Sequence, residues 1–280
     1  MINVIGLGKV GCGITEKFRQ YPQYKIFKID SGLKEKTDEN CFSIKKRNNP
    51  EEYEAKFPAR VLSSLKKIDG DVLFIVEGGT EISSASLRIL EAVRKNRIEV
   101  LYLQPEIHDE YSKKLEKITF GVFQEYARSG LFEKLFLVSS SSIEKAIGSI
   151  PIGSYRDTVD SFVSSTIHML NVYRNTEAVV SSYPKESGLC RICTVGTAEI
   201  EKMAEHMCFS LDNVSEKSYY FAINKNQVDN DPDLLFRIKQ RAGKSTEEMN
   251  VGYGVYPTEY DKNYIYILSQ TKIIQGVKHG

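Results

Sequence analysis

The chain has 280 residues, which is too long for one small hydrophobic core and suits two modest domains or one large α/β unit. Hydrophobic residues make up 41% of it and charged residues 27%, close to globular averages, so a disordered or collagen-like chain is excluded. Because 38 basic and 37 acidic residues leave a formal net charge of +1 at pH 7, bulk charge predicts neither nucleic acid nor an anionic membrane as a direct partner.

The composition also predicts a cytoplasmic protein without a membrane partner. No apolar run in the sequence approaches the roughly 18 residues that span a bilayer. Five cysteines, an odd number, argue against a secreted disulfide framework. Cys190 and Cys193 form a C-x-x-C pair, but no second pair stands at zinc spacing. We therefore expect the cysteines to be small hydrophobic residues and predict no metal site.

The N-terminal half alternates β-rich runs with helical patterns, which is the order that builds a parallel sheet with crossover helices. Strands are predicted at residues 3–6, 25–29, 71–76, 99–103 and 131–138. Helices are predicted at residues 14–19, 50–67, 87–93 and 111–126, and from residue 143 onward. The sequence thus predicts an α/β fold with a mostly parallel, Rossmann-like nucleotide-binding sheet.

A long amphipathic helix is predicted in the centre of the chain. Its apolar stripe recurs at helical spacing and consists of Val159, Phe162, Val163, Thr166, Ile167, Leu170 and Tyr173. His168 lies off this stripe, so we expect it to be exposed.

A polar junction at residues 181–187 separates this helix from a smaller α/β region with a mixed sheet. Within that region, helices are predicted at residues 199–209 and 232–241, and strands at 219–224, 250–256 and 263–269. We therefore predict a nucleotide-binding domain at residues 1–157, the central helix and its following loop at 158–182, and a small C-terminal domain at 183–280.

The first glycine-rich turn satisfies G-x-G-x-x-G as Gly6-Leu7-Gly8-Lys9-Val10-Gly11, between a predicted strand and a helix. Glycines permit close backbone approach, and a helix N-terminus presents free N–H groups to a phosphate. Asp30, at the end of the next strand, is placed to bind ribose hydroxyls. Taken alone, these features predict an NAD-type fingerprint, and a tight turn without a ligand is the structural alternative.

A second glycine loop, Gly78-Gly79-Thr80, leaves the most apolar predicted strand and enters a helix. Two loops suited to phosphate would then lie at the carboxyl ends of two strands of one sheet. A dinucleotide fold normally needs only the first loop, whereas a nucleoside di- or triphosphate suits a grip from two sides.

The order of these loops resembles the tubulin/FtsZ superfamily of filament-forming GTPases. Residues 5–13 are similar to that family's first glycine-rich loop, and Gly78-Gly79-Thr80 resembles the core of its GGGTGTG signature. Further positions that match the family pattern are Phe27-Lys28-Ile29-Asp30, Asn49-Pro50-Glu51, Gln104-Pro105 and Tyr155. The lysine- and asparagine-rich composition suggests a divergent phage- or plasmid-type member.

This resemblance implies a cytoskeletal protein that binds GTP or GDP, with or without Mg²⁺, and whose partner is itself in a head-to-tail homopolymer. The positions that it implies for nucleotide binding are Gly6, Gly8, Lys9, Val10, Gly11, Cys12, Asp30, Asn49, Gly78, Gly79, Thr80, Ser140 and Tyr155. In this family one subunit binds the nucleotide and its neighbour completes the hydrolytic site, for which Glu177 is the candidate acid.

The sequence departs from the family pattern in three loops. Glu81-Ile82-Ser83 stands where the signature continues Gly-Thr-Gly, which adds side chains and a negative charge and should weaken triphosphate binding. Four serines at residues 139–142 replace a loop that usually offers an asparagine to guanine. The loop Arg174-Asn175-Thr176-Glu177 offers one acid where the family has a pair. We therefore expect nucleotide binding with slow or no GTP hydrolysis.

Two alternatives remain open at this point. An NAD(P)-dependent oxidoreductase would use Gly6, Gly8 and Gly11, but it leaves the second glycine loop unexplained, and no Lys/His/Tyr constellation for hydride chemistry is evident. A structural member of the tubulin/FtsZ fold without any cofactor would keep only the assembly surface.

Overall fold

Six parallel strands form the N-terminal part of the sheet in the computed structural model, which describes residues 1–33, 40–183, 188–200, 202 and 204–276. In sheet order β3-β2-β1-β4-β5-β6, they are Cys41–Ser43, Tyr24–Asp30, Ile2–Leu7, Val72–Glu77, Ile98–Gln104 and Lys134–Ser139. Since all six run in the same direction, their carboxyl ends lie at one edge of the sheet. The five strands predicted for this half are thereby confirmed, and β3 is an additional strand that the sequence did not predict.

Helices cover both faces of these strands. The helices of this half are α1 (Gly8–Lys17), α2 (Pro50–Ala55), α3 (Ala59–Leu65), α4 (Ser86–Val93), α5 (Glu110–Arg128) and α6 (Ser140–Ile147). Strand β4 shows the resulting alternation: Phe74 packs in one core with α3, α4 and α5, whereas Ile75 packs in the other with α1 and α6. Burial on both faces explains the continuous apolar run of this strand.

Helix α7 (Tyr155–Arg174) is the predicted long amphipathic helix, and its apolar stripe faces the second of these cores. At its N-terminal end, Asp160 lies against Gly13 of α1. At its C-terminal end, the Arg174 Nη1 donates a 2.9 Å hydrogen bond to Glu99 Oε1, near the start of β5. The helix therefore runs from the carboxyl edge of the parallel strands to their amino edge.

The remaining strands extend the sheet in mixed directions. They are β7 (Val180–Ser182), β8 (Ile192–Ala198), β9 (Glu205–Met207), β10 (Glu216–Asn224), β11 (Asn250–Thr258) and β12 (Tyr264–Thr271). The order continues β6-β8-β12-β10-β11-β7, with β9 paired to β8. Strand β12 is antiparallel to both its neighbours, while β10 and β11 are parallel. Helices α8 (Lys225–Asn230) and α9 (Leu234–Ala242) complete this region, and α9 covers a third core.

Strand β8 is not among the predicted elements, and its parallel pairing with β6 carries the sheet from the first half into the second. The division of the chain into segments 1–157, 158–182 and 183–280 stays a prediction. Residues 184–187 of the predicted junction lie outside the described residues, as do residues 34–39.

The predicted helix at residues 199–209 is wrong, because the described part of this segment contains strand β9. Met207 pairs with Gly196 of β8. A Cβ atom on Gly196 would lie 2.5 Å from the Met207 sulfur, so the missing side chain is what lets the strands approach. The single helix predicted at 50–67 is also wrong, since Pro58 starts a second helix, α3.

His168 is buried, contrary to the expectation from the α7 stripe, with a relative exposure of 7%. The Tyr21 ring stacks on its imidazole at a centroid distance of 3.6 Å, and its Nδ1 lies 3.0 Å from the Tyr24 hydroxyl. The residues that lead into β2 therefore cover a side of α7 that its own periodicity marks as polar. Burial lowers the pKa of His168.

Candidate functional site

The turn between β1 and α1 brings the backbone of the first glycine motif close to the sheet. Gly8 has φ +74°, in the region that favours glycine, and it begins α1 directly. A Cβ atom on Gly11 would lie 2.6 Å from the carbonyl oxygen of Ile75, so α1 packs tightly on β4. The N-cap residue Leu7 makes no side-chain capping bond, which leaves the first N–H groups of α1 directed toward this edge of the sheet.

Cys12 fastens α1 to the ends of two strands. Its thiol donates to the carbonyl oxygens of Gly6 at 3.4 Å and Ile29 at 3.6 Å. Burial raises the pKa of Cys12 to about 12, so the side chain is a neutral donor within the protein. Asp30 ends the neighbouring strand β2 and accepts a 3.4 Å bond from the N–H of Gly32. The structure thus places Asp30 at the same sheet edge as the first glycine turn.

The second loop, Gly78-Gly79-Thr80, leaves β4, which is the hydrogen-bonded neighbour of β1. Gly79 has φ +69°, and a Cβ atom there would lie 2.7 Å from Ile107 Cδ1. A 3₁₀ helix, Glu81–Ala85, follows at once. Its Ile82 Cγ2 lies 3.1 Å from the position of a Cβ atom on Gly8, so the two glycine loops are in contact. An isoleucine side chain thereby lies against the first loop.

The carboxyl groups of Glu116 and of the half-buried Glu77 lie next to the second loop, and neither residue is among the predicted site residues. Glu116 of α5 is fully buried, and its Oε2 accepts a 2.6 Å hydrogen bond from the Tyr102 hydroxyl. A Cβ atom on Gly78 would lie only 1.8 Å from that Oε2. Burial raises the pKa of Glu116 to about 7. Burial likewise raises the pKa of Glu77 to about 7, against the opposing effect of Arg156.

A third acid lies on α7, packed against α1, where its charge raises the pKa of Glu77. Asp160 Oδ2 lies 2.5 Å from the position of a Cβ atom on Gly13, and its Oδ1 accepts a hydrogen bond from Arg156. Burial raises the pKa of Asp160, with Arg156 opposing. A signal for these acids did exist in the sequence, because Glu77 ends an apolar strand and Glu116 stands on the buried stripe of α5.

Other predicted nucleotide-binding residues have structural partners of their own. Asn49 caps α2, its Oδ1 accepting a 2.9 Å bond from the N–H of Glu51. Ser140 begins α6. The Tyr155 hydroxyl donates to the Glu144 carboxylate, an interaction that raises the pKa of Tyr155 to about 12. Lys9 is exposed at the start of α1, beside Val10.

Glu177 lies at the opposite end of the molecule from the glycine loops. It is exposed and follows α7, whose 20 residues extend about 30 Å. Beside it is a cleft of about 980 Å³ at the amino edge of the parallel strands, lined by residues that include Tyr173, Arg174, Tyr183 and Glu216. Within one chain, Glu177 is therefore remote from the other predicted site residues.

The described part of the chain contains neither a group of residues suited to hold a metal ion nor a helix suited to span a membrane. There, no group of three or more His, Cys, Asp or Glu side chains is placed to hold a metal ion. All five cysteines are buried and free of disulfides. None of the described helices combines the length and the apolar character that a membrane span requires.

Comparison with solved structures identifies the fold. The chain is similar to a GTPγS-form protofilament of TubZ from Bacillus thuringiensis serovar israelensis, with a TM-score of 0.69, 14% identity, and coverage of 96% of this chain and 86% of that one. It is also similar to CetZ from Methanosaeta thermophila, with a TM-score of 0.70, 11% identity and coverage of 97% and 86%. For an FtsZ dimer of M. jannaschii, the TM-score is 0.68, the identity 9% and the coverage 96% and 88%.

These likenesses confirm the prediction of a tubulin/FtsZ-like fold, while identities this low establish the fold alone. No protein-family model matches the chain. No curated protein sequence matches it either.

Proposed function

We propose that this chain binds a guanine nucleotide where its two glycine loops meet and assembles head to tail into filaments. The contact between Gly8 and Ile82 carries the proposal, because it joins two loops that leave neighbouring parallel strands at one edge. Ligands of open α/β sheets bind at the carboxyl ends of the strands, and the start of α1 provides N–H groups for a phosphate. Asp30 at the same edge is suited to the ribose.

The similar structures support this function by what they contain. The TubZ structure is a GTPγS-form protofilament, whereas the FtsZ structure is an empty dimer and supports self-assembly alone. Both share their fold with this chain along nearly its whole length. We extend the two properties, guanine nucleotide binding and self-assembly, to this chain as a cytoplasmic cytoskeletal protein.

The geometry of α7 favours a polar assembly. The glycine loops lie at one end of this helix and Glu177 at the other. If the glycine-loop end of one molecule contacts the Glu177 end of the next, each molecule keeps one end available for a further copy. Such a heterologous contact generates an open filament. In that filament Glu177 of one subunit would approach the nucleotide of the next. Because the loop offers a single acid, we propose that GTP hydrolysis is slow or absent.

A second candidate is assembly without nucleotide. It is favoured by the side chain of Ile82 against Gly8 and by the carboxyl groups of Glu77 and Glu116 beside the second loop. Apolar bulk and negative charge both oppose a polyphosphate. In this case the fold would keep its end-to-end contact and lose nucleotide control.

Calorimetric titration with GTP, GDP, ATP, NAD and NADPH, each followed by sedimentation of polymer, separates these functions. Saturable binding of GTP or GDP together with polymer is the expected result. Binding of NAD or NADPH without polymer would favour the oxidoreductase instead. Polymer without binding of any of these compounds would favour the second candidate.

A matched pair of glycine variants tests the site. Gly8→Ala places a Cβ atom at φ +74° and 3.1 Å from Ile82, and we expect it to weaken nucleotide binding at least tenfold. Gly243→Ala introduces the same kind of backbone strain at φ +79°, where no atom lies within 4 Å. Each substitution should cost about 1–2 kcal/mol of stability. Equal nucleotide affinities in the two variants would reject the proposed site.

Glu177→Ala tests hydrolysis between subunits. Any GTP turnover that accompanies assembly should disappear in this variant, whereas Glu247→Ala, another exposed acid, should leave turnover unchanged. Assembly-dependent turnover that persists in Glu177→Ala would contradict the assignment of Glu177.

A further inference from the structure

Three elements contribute carboxyl groups near the carboxyl end of β4. These are Glu77 at the end of β4, Glu116 on α5 and Asp160 on α7, which we call the acid cluster. Glu116 Oε2 lies within 1.8 Å of the position of a Cβ atom on Gly78, so its carboxyl group is adjacent to the loop backbone. A phosphate held by this loop would lie close to the cluster.

The cluster has few compensating charges. Glu116 faces the Tyr102 hydroxyl, which donates to Oε2, the side-chain amide of Gln104 and the carboxyl group of Glu77. Among the described residues, Glu116 Oε1 is buried without a hydrogen-bond partner, and so is Gln104 Nε2. A buried carboxylate whose partners are neutral is costly, so the protonated form of Glu116 is favoured.

On the other side, Glu77 faces Asp160 and Arg156 of α7. The guanidinium of Arg156 already pairs with Asp160 Oδ1. Asp160 also faces Lys17 and Asp157, which form an ion pair with each other. Arg156 is the only cation that faces Glu77 in the described part of the chain, and it serves two carboxyl groups.

A polyphosphate beside this cluster requires that some negative charge be removed. A divalent cation is one way to remove it, but the described residues form no group of three acidic, histidine or cysteine ligands here. A proton needs no coordination shell, and the negative charge of Glu77 adds to burial in raising the pKa of Glu116.

We propose that the nucleotide binds together with a proton that is taken up by the carboxyl groups of Glu116 and Glu77 beside the Gly78-Gly79 loop. This inference rests on the proposed function, since it describes the regulation of the same site. Both carboxyl groups have their pKa raised to about 7 by burial, so the proton is exchanged close to neutral pH. Acidification then promotes binding, and alkaline conditions oppose it.

Calorimetry with GDP tests the inference between about pH 6 and pH 9 in buffers of different ionisation enthalpy, because the buffer dependence of the heat counts the protons taken up. We expect the wild type to take up about one proton per GDP at about pH 8. Above about pH 7 its affinity should fall by about tenfold per pH unit for each proton taken up.

Glu116→Gln and Glu77→Gln should both reduce the proton uptake, flatten the pH dependence and bind GDP more tightly than the wild type at about pH 8. Glu77 is less buried than Glu116, so its variant tests the inference independently if Glu116→Gln fails to fold. Glu125→Gln makes the same change on α5 at a side chain that is 61% exposed, and it should behave as the wild type. Ionisation of GDP itself is common to all the proteins and cancels in the comparison.

The possible failures are distinct. GDP binding whose affinity and proton uptake are the same in the wild type and both variants would overturn the proton coupling and leave the nucleotide site intact. Absence of GDP and GTP binding in every protein at every pH would overturn the proposed function and this inference with it. Tight binding at about pH 8 that depends on Mg²⁺ rather than on protons would overturn the inference in favour of a cation.

Discussion

The buried carboxyl group of Glu116 makes the stability of this protein depend on pH in a direction opposite to that of an ordinary paired acid. Its pKa is raised from 4.5 to about 7 in the folded chain. Between these values the folded chain retains a proton that the unfolded chain has released. The free energy of unfolding therefore falls as the pH rises from about 4.5 to about 7, and it is level above that range.

The size of this effect follows from the shift. Each pH unit by which the pKa of Glu116 is raised corresponds to about 1.4 kcal/mol, so the rise from 4.5 to about 7 corresponds to about 3 kcal/mol of stability lost above neutral pH. Glu116→Gln keeps an acceptor for the Tyr102 hydroxyl and cannot ionise. The variant should therefore be more stable than the wild type by up to about 3 kcal/mol at about pH 8, and this advantage should vanish toward about pH 4.5.

Urea unfolding followed by circular dichroism at several pH values measures the difference. The same substitution at Glu125, which is exposed on the same helix, should change stability by less than about 0.5 kcal/mol at every pH. A difference between wild type and Glu116→Gln that is the same at about pH 5 and about pH 8 would refute the reasoning, because it would mean that Glu116 does not titrate in this range.

Three further substitutions test how α7 and the C-terminal sheet are held. Burial lowers the pKa of His168, so stability should fall as the pH drops below about 6.5, and His168→Gln should flatten this acid limb in urea titrations. Arg174→Gln removes the bond to Glu99 and should destabilise the protein by about 1–3 kcal/mol in urea titrations, with a Glu99→Gln/Arg174→Gln double variant recovering part of the loss. Glu205 accepts hydrogen bonds from Tyr219 at 2.7 Å and Arg241 at 3.2 Å, so Glu205→Ala should lower the thermal midpoint, with a loss of about 3 kcal/mol.

The agreement between the predicted and observed elements is best where the signal is local. The G-x-G-x-x-G turn and the apolar stripe of α7 are local patterns. They predicted α7 and a helix after the glycine turn, although α1 begins earlier than predicted, at Gly8 within the motif. The likeness to the tubulin/FtsZ fold likewise came from the order of loops along the chain. That order is retained in the strand order β2-β1-β4-β5-β6.

The candidate site was only partly predictable for the same reason. The turn at Gly8 and the loop at Gly79 require backbone conformations that glycine provides, and this requirement is visible in the sequence. The sequence does not show which acids lie beside these loops, because Glu77, Glu116 and Asp160 come from three distant segments. Their positions around the two glycine loops depend on how α5 and α7 pack on opposite faces of the sheet.

The sequence by itself determined the alternation of strands and helices in the N-terminal half, the position of both glycine loops and the length of the central helix, since these depend on propensity and periodicity. Only the tertiary structure decided that residues 205–207 form a strand, because that strand exists by pairing with β8 beside Gly196. It also decided that His168 is buried and that Glu116 lies under Gly78, since burial is set by which distant segment covers a side chain.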